Sequence, residues 1–295
     1  MANLSTALTV PLAAGFLYAM AAIVLKRASG GGVGPWRIAF VANWTTALVF
    51  APMWLLGGAP FTWLNLAHAA ICATAFFVGQ VFTFLALSRG DVSVATPVLG
   101  LKVILVAAFT TLLLGQGIPG DWWLAGGLIA LATALLGGGG SRAGEARWLP
   151  SLGYGLGAAA AFALTDVLMQ KWAAAWGFGH FAPALFAIVA LLSFALIPFF
   201  HEPLRALPKE NWRWLIAGSL LLSAQASCIA WSIVSLGGAT VVNILYSSRG
   251  IWSVLIVWTI GPLFGNVERD IGTAVMSRRL LGAGLLLGAI VLVVL

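Results

Sequence analysis

The hydrophobic residues of this chain fall into long runs, each about long enough to cross a lipid bilayer as a helix. A hydrocarbon core about 30 Å thick needs roughly 20 apolar residues per helical span. Gly, Pro or charged residues separate most neighbouring runs. The pattern predicts ten spans: residues 7–25, 36–56, 64–87, 92–114, 122–138, 152–173, 180–200, 212–235, 239–263 and 280–295. Residues 1–6 contain no Lys or Arg, so the first run is predicted to be a span and not a cleaved signal peptide.

The composition excludes the main soluble classes. Hydrophobic residues make up 61% of the chain and charged residues 8%, against about 45–50% and about 25% in soluble domains. Too few charges are present to cover a soluble surface, and a disordered chain would be polar. The two cysteines, Cys72 and Cys228, lie inside apolar runs, which excludes a disulfide scaffold. We therefore expect an all-α integral membrane protein that crosses the cell membrane (inner or plasma membrane) many times.

The net charge of +7 is explained by the loops and does not indicate a nucleic-acid partner. Without a soluble domain there is no surface for a basic patch, so the lipid bilayer is the expected partner. Cytoplasmic loops of membrane proteins carry an excess of Lys and Arg. Here the cations after odd-numbered spans are Lys26, Arg27, Arg37, Arg89, Arg142, Arg147, Arg205, Lys209, Arg213, Arg269, Arg278 and Arg279. The opposite side has only Lys171, so both termini are predicted to be extracytoplasmic.

Two similar segments indicate an internal repeat. Residues 90–102 and 237–249 both open a helix with Gly and both end in a cation, and they lie 147 residues apart, half the chain. A unit with five spans that occurs twice must enter the membrane from opposite sides. We therefore predict two inverted five-helix repeats around a central cavity. Residues 1–140 form the first repeat, 141–148 a connecting loop and 149–295 the second repeat.

Several stretches resemble a known family. Residues 84–97 combine an Ala-Leu helix end with Pro97 in the next helix, and residues 112–116 and 123–131 add a short loop and a Gly-Leu-Ile helix. Together they resemble the EamA-type repeat of the drug/metabolite transporter superfamily, and residues 280–288 give a weaker second match. The resemblance implies a ten-helix basket whose cavity is lined by spans one, three, four, six, eight and nine, with spans five and ten at the periphery. Ten-helix relatives are usually drawn with cytoplasmic termini, whereas the charge count predicts the reverse.

Lys102 and Arg249 are the candidate binding residues, because each is the eleventh residue of its predicted span. A cation at that depth costs ~2.5–3.5 kcal/mol on insertion scales and is a functional candidate by default. One interpretation is a paired cationic site for an anionic group. The other is an internal salt bridge, for which Asp166 is the only acid predicted at depth. Asp166 is expected to pair with Lys102 or Arg249, and a proton-coupling role stays open.

Polar residues near the two cations complete the predicted substrate site. Tyr246, Arg249, Trp252 and Ser253 share one helical face. Asn243 and Thr96 each lie six residues before a cation. Gln80 and Gln225 lie in the third and eighth spans, where an amide is either a ligand contact or a link between helices. Weaker candidates of the same kind are Asn43 and Tyr18.

Enzyme chemistry finds no support, because the His, Asp and Glu residues are scattered. No metal and no cofactor are predicted. The best hypothesis is a secondary transporter that moves a small anionic or zwitterionic metabolite by alternating access. Alternatives are an anionic-lipid flippase, a structural membrane subunit, and an amino-acid or drug exporter of the same superfamily. Glycines spaced four apart at Gly153–Gly157 and Gly284–Gly288 are compatible with a homodimer, although they are weak evidence for one.

Overall fold

The protein is helical throughout the part that the structure, a computed structural model, describes. That part comprises residues 4–89, 98–137, 148–260, 263 and 273–294. No strand occurs in these ranges. Eight helices are long and apolar enough to cross a membrane, and Val98–Leu114 and Gly120–Leu136 are shorter apolar helices. The predicted all-α membrane fold is confirmed.

We number the helices in chain order. They are α1 (Leu4–Gly30), α2 (Pro35–Phe50), α3 (Trp63–Arg89), α4 (Lys102–Leu114), α5 (Gly120–Gly137), α6 (Trp148–Trp176), α7 (Phe178–Leu192), α8 (Lys209–Leu236), α9 (Ala239–Tyr246), α10 (Arg249–Ile260) and α11 (Thr273–Val294). The second and seventh predicted spans end in 3₁₀-helices, Ala51–Leu56 and Ser193–Phe199. Of the predicted connecting loop, only Trp148 lies within the described residues, as the first residue of α6.

The ninth predicted span is one candidate membrane span, Ala239–Ile260, in which a two-residue turn separates α9 from α10. The chain turns at Ser247 and Ser248, and the backbone N–H of Ser248 donates to the carbonyl of Leu245. The fourth span has a similar interruption, because a turn at Leu101 separates helical residues 98–100 from α4. Lys102 and Arg249 are therefore the first residues of α4 and α10.

Helix packing follows the exchange expected of two inverted halves. The most extensive contacts are between α3 and α6 and between α1 and α8. The repeat makes α1 the counterpart of α6, α2 that of α7 and α3 that of α8. Replacing both helices of one pair by their counterparts gives the other pair. The same exchange relates α2–α8 to α3–α7, whereas α5–α11 and α2–α7 pair counterpart helices with each other. The packing fits an inverted repeat, and the repeat boundaries stay a prediction.

The largest buried cluster lies where the halves meet. Phe50 of α2 stacks near Phe186 of α7 with ring centroids 4.3 Å apart, and Phe76 of α3 contacts the same ring. Trp176 is fully buried in this cluster. Many large apolar side chains point outward, as expected of a surface that faces lipid.

Candidate functional site

A cavity of about 390 Å³ lies among helices from both halves. Its described lining comes from α1, α3, α4 and α5 of the first half and from α9, α10 and α11 of the second. The polar lining residues are Tyr18, Thr83, Lys102, Thr133, Asn243, Tyr246, Ser247, Arg249, Ser253 and Arg279. Three of these residues are cations, and no described lining residue is an acid. The cavity is therefore electropositive.

The helices around the cavity differ from those implied by the family resemblance. Helices α5 and α11 contribute lining residues, whereas none of the described lining residues comes from α6 or α8. Glycines allow this approach: a methyl group on Gly100 would lie 2.7 Å from Thr133 Cβ of α5. One on Gly250 would lie 2.6 Å from Leu286 of α11. The expectation that spans five and ten are peripheral is wrong for this cavity.

Lys102, which is partly buried, and Asp166, which is buried, form an ion pair. Lys102 Nζ lies 2.7 Å from Asp166 Oδ2. Asn243 Nδ2 donates to the same oxygen at 2.8 Å and to the carbonyl of Ala239 at 2.9 Å. These bonds tie α4, α6 and α9 together. Of the two partners predicted for Asp166, the structure pairs it with Lys102.

Arg249 has a different environment. Its guanidinium carbon lies 4.8 Å from the centroid of the Tyr246 ring and 5.1 Å from that of Tyr18. No acid of the described residues lies within ion-pair distance of it. Aromatic faces attract a cation through the ring quadrupole, which stabilises the charge without neutralising it. Arg249 therefore keeps its charge at the cavity wall.

Other residues of the predicted site lie elsewhere. Trp252 packs edge-on against Phe16, with centroids 5.3 Å apart, in an apolar cluster with Ile256. Gln80 exchanges two hydrogen bonds with Asn43, at 2.9 and 3.0 Å, so this amide links α3 to α2. None of these side chains lines the cavity, and neither does Gln225 of α8. Thr96 lies outside the described residues.

Some cavity residues were not predicted from the sequence. Thr83, Thr133 and Ser247 add hydroxyls, and Arg279 of α11 adds a cation that was counted only as a loop charge. One signal was available for Ser247, because two adjacent serines interrupt an apolar span directly before a cation. Thr133 is one hydroxyl in an apolar helix, and its position depends on how α5 packs. Within the described part of the chain, no three His, Cys, Asp or Glu side chains group as metal ligands.

Comparison with known proteins identifies the first half of the chain. Residues 5–138 match the model of the EamA-like transporter family. The EamA-like family is part of the drug/metabolite transporter superfamily, and its members are transporters. The match supports a membrane transporter of this type, and it ends before Asp166, Asn243 and Arg249.

A solved structure extends the likeness to the whole chain. It is described only as a crystal structure of a protein, and it superposes with a TM-score of 0.73. The superposition covers 98% of this chain and 96% of the other, at 18% sequence identity. This likeness shows the fold alone. A search of curated proteins found no match.

Proposed function

We propose that the protein is a secondary transporter that moves a small anionic or zwitterionic metabolite by alternating access. The observation that carries the proposal is Arg249, a cavity cation with no acid beside it among the described residues. Lys102 is the cation at the matching position of the other half, and Asp166 compensates it. Lys102 and Arg249 together carry two positive charges and Asp166 carries one negative charge, so one net positive charge is left for a ligand.

The backbone near Arg249 also favours an anion. Arg249 is the first residue of α10, and the N-terminus of a helix carries a partial positive charge, while the backbone N–H groups of Gly250 and Trp252 donate to the carbonyls of Ser247 and Ser248. An interrupted helix that presents this end to a cavity is a recurring feature of transporter binding sites. The guanidinium of Arg249 and the N-terminal end of α10 therefore both attract an anion. A cationic drug would be repelled here.

The remaining lining suits a small polar molecule. Ser247, Ser253 and Thr133 supply hydroxyls that donate and accept hydrogen bonds. The volume of about 390 Å³ lies at the lower end of the range for small-molecule sites, about 300–1,000 Å³. Arg249 would hold the negative group of the metabolite, and the hydroxyls would orient the rest.

The cavity walls come from both halves of the chain, which supports alternating access. Helices α4 and α5 of the first half face α9, α10 and α11 of the second across the cavity. A rocking motion of one half against the other would expose the same residues to each side of the membrane in turn. No new binding residues are needed for the second state.

The test is uptake of radiolabelled anionic metabolites into proteoliposomes that contain the purified protein. We expect Arg249→Met to abolish uptake and Arg249→Lys, which keeps the charge but loses the planar fork, to reduce it strongly. Arg205→Met is the matched control, because Arg205 is exposed and does not line the cavity. Normal uptake by Arg249→Met would refute the anion site.

A further inference from the structure

Two of the three cavity cations, Lys102 and Arg249, occupy matching positions in the two halves but have different surroundings. Lys102 lies 5.9 Å from the centroid of the Phe162 ring and pairs with Asp166, both on α6. The repeat offset of 147 residues places Gly15 and Ala19 of α1 where α6 has Phe162 and Asp166. At the position of α1 that corresponds to Asp166, the chain therefore has an alanine in place of the acid.

Two tyrosines take the place of that acid. Tyr18 comes from α1 of the first half, and Tyr246 comes from α9 of the second. Their rings lie at 81° to each other with centroids 6.0 Å apart, so they form a corner. The guanidinium carbon of Arg249 lies about equally far from both faces, at 5.1 and 4.8 Å.

A corner of two rings restrains a guanidinium from two directions. Helix α1 is held close to this site, because a methyl group on Gly15 would lie 2.5 Å from Ser248 Oγ and 2.9 Å from the backbone N of Arg249. Tyr246 is only 6% exposed, so its ring has little freedom to move. A carboxylate partner would consume two N–H donors of Arg249 at once, whereas the ring faces consume none, and the side-chain hydrogen bond to Tyr246 leaves the other donors available to bind oxygen.

We propose that Tyr18 and Tyr246 are positioning residues that hold Arg249 as a charged, planar donor for an oxyanion with two coplanar oxygens. A carboxylate and a phosphate group both offer this geometry. The inference rests on the proposed function and specifies the chemical group that the site selects. Tyr18 and Tyr246 come from different halves, so the corner is complete only when α1 and α9 are together.

The experiment measures the Kd of propionate and of glycerol 3-phosphate by calorimetry on the protein in nanodiscs. Propionamide is the uncharged control ligand. We expect Tyr18→Leu and Tyr246→Leu each to weaken binding of the anionic ligand by about tenfold, the range of a partly desolvated cation–π contact. Tyr18→Phe keeps the ring and should bind within about twofold of the original protein. Comparing the Kd of propionate with that of glycerol 3-phosphate shows whether the site selects a carboxylate or a phosphate group.

Tyr154→Leu is the matched control, because Tyr154 contacts Phe82 and does not line the cavity. Its melting temperature shows what the loss of a tyrosine costs the fold. Unchanged Kd values in both Leu variants, together with lost binding in Arg249→Met, would overturn the role of the tyrosines and leave the proposed function intact. Unchanged binding in Arg249→Met, or no binding of either anion by the original protein, would overturn both.

Discussion

At the scale of single residues, the main finding is that one acid, Asp166, pairs with only one of the two matching cavity cations, Lys102 and Arg249. Asp166 accepts from Lys102 and from Asn243 on the same oxygen. Truncating one partner of a buried ion pair is costly because the other charge is left in a poorly solvated place. Lys102 therefore has a structural partner whose loss should be visible in stability. Arg249 has no such partner among the described residues.

We expect Asp166→Asn to lower the free energy of unfolding by ~3–5 kcal/mol, because it leaves Lys102 uncompensated. The double variant Lys102→Met with Asp166→Asn removes both charges and should recover much of that loss. Thermal melting in detergent measures both, with Glu210→Gln as the control because Glu210 is exposed. A double variant that is no more stable than Asp166→Asn alone would show that the uncompensated charge of Lys102 is not the cause of the loss.

The same reasoning separates the two cations. Lys102→Met leaves Asp166 with Asn243 as its only described donor, so this variant should melt at a lower temperature. Arg249→Met strands no acid and should melt at or above the original temperature, since it removes a costly buried cation. The measurement is the melting temperature of Lys102→Met and of Arg249→Met, each compared with that of the original protein. Equal destabilisation by both substitutions would contradict the assignment of Asp166 to Lys102.

At the scale of helices, the interruption between α9 and α10 depends on small residues around it. Gly15 of α1 packs against Ser248 and the backbone of Arg249. Gly250 lies equally close to α11. The backbone of Arg249 cannot move aside as a flexible side chain can, so Gly15 sets how near α1 comes to the turn, whereas Gly250 meets only the side-chain ends of Leu286 and Leu136. The turn contains no proline, and the hydroxyl of Ser247 donates to the carbonyl of Ile244.

We expect Gly15→Ala to destabilise the protein by ~1–3 kcal/mol and to reduce uptake, because the added methyl group forces α1 away from Arg249. Gly284→Ala is the matched control, since a methyl group there would meet no atom within 4 Å. Melting temperature and proteoliposome uptake are measured on both variants. If Gly15→Ala kept the melting temperature and uptake of the original protein, the close approach of α1 to Arg249 would not be required for stability or transport.

At the scale of the whole molecule, the cavity extends from the two central cations toward one end of the bundle. Thr83 near the end of α3, Val257 near the end of α10 and Arg279 near the start of α11 all line it. The Lys and Arg count predicts that this end is cytoplasmic. At the opposite end, Gln170 binds the carbonyl of Gly237 and the N–H of Ala239, which joins α6 to the start of α9.

The orientation is tested by a topology reporter fused after Leu295. We expect an extracytoplasmic signal, because the loop cations cluster on the other side. The matched control is the same reporter placed after Arg142, which should give a cytoplasmic signal. Reversed signals from the two fusions would invert the orientation, and the cavity would then extend toward the outside.

The sequence by itself determined the membrane class, the ten apolar segments and the two cations at equivalent depths. These features are local, because the length and hydropathy of a run decide whether it can cross a bilayer. The sequence also predicts the repeat, since Gly90–Lys102 and Gly237–Arg249 can be aligned directly.

Only the tertiary structure decided which side chains meet. Trp252 shares the helical face of Arg249 in sequence, yet it packs against Phe16, while Tyr18 from a distant helix lies beside the guanidinium. Helical spacing gives the face of a residue but not the rotation and separation of the neighbouring helix, which depend on small residues at the contacts. The choice of Lys102 for Asp166 and the place of α5 and α11 at the cavity are therefore results of packing.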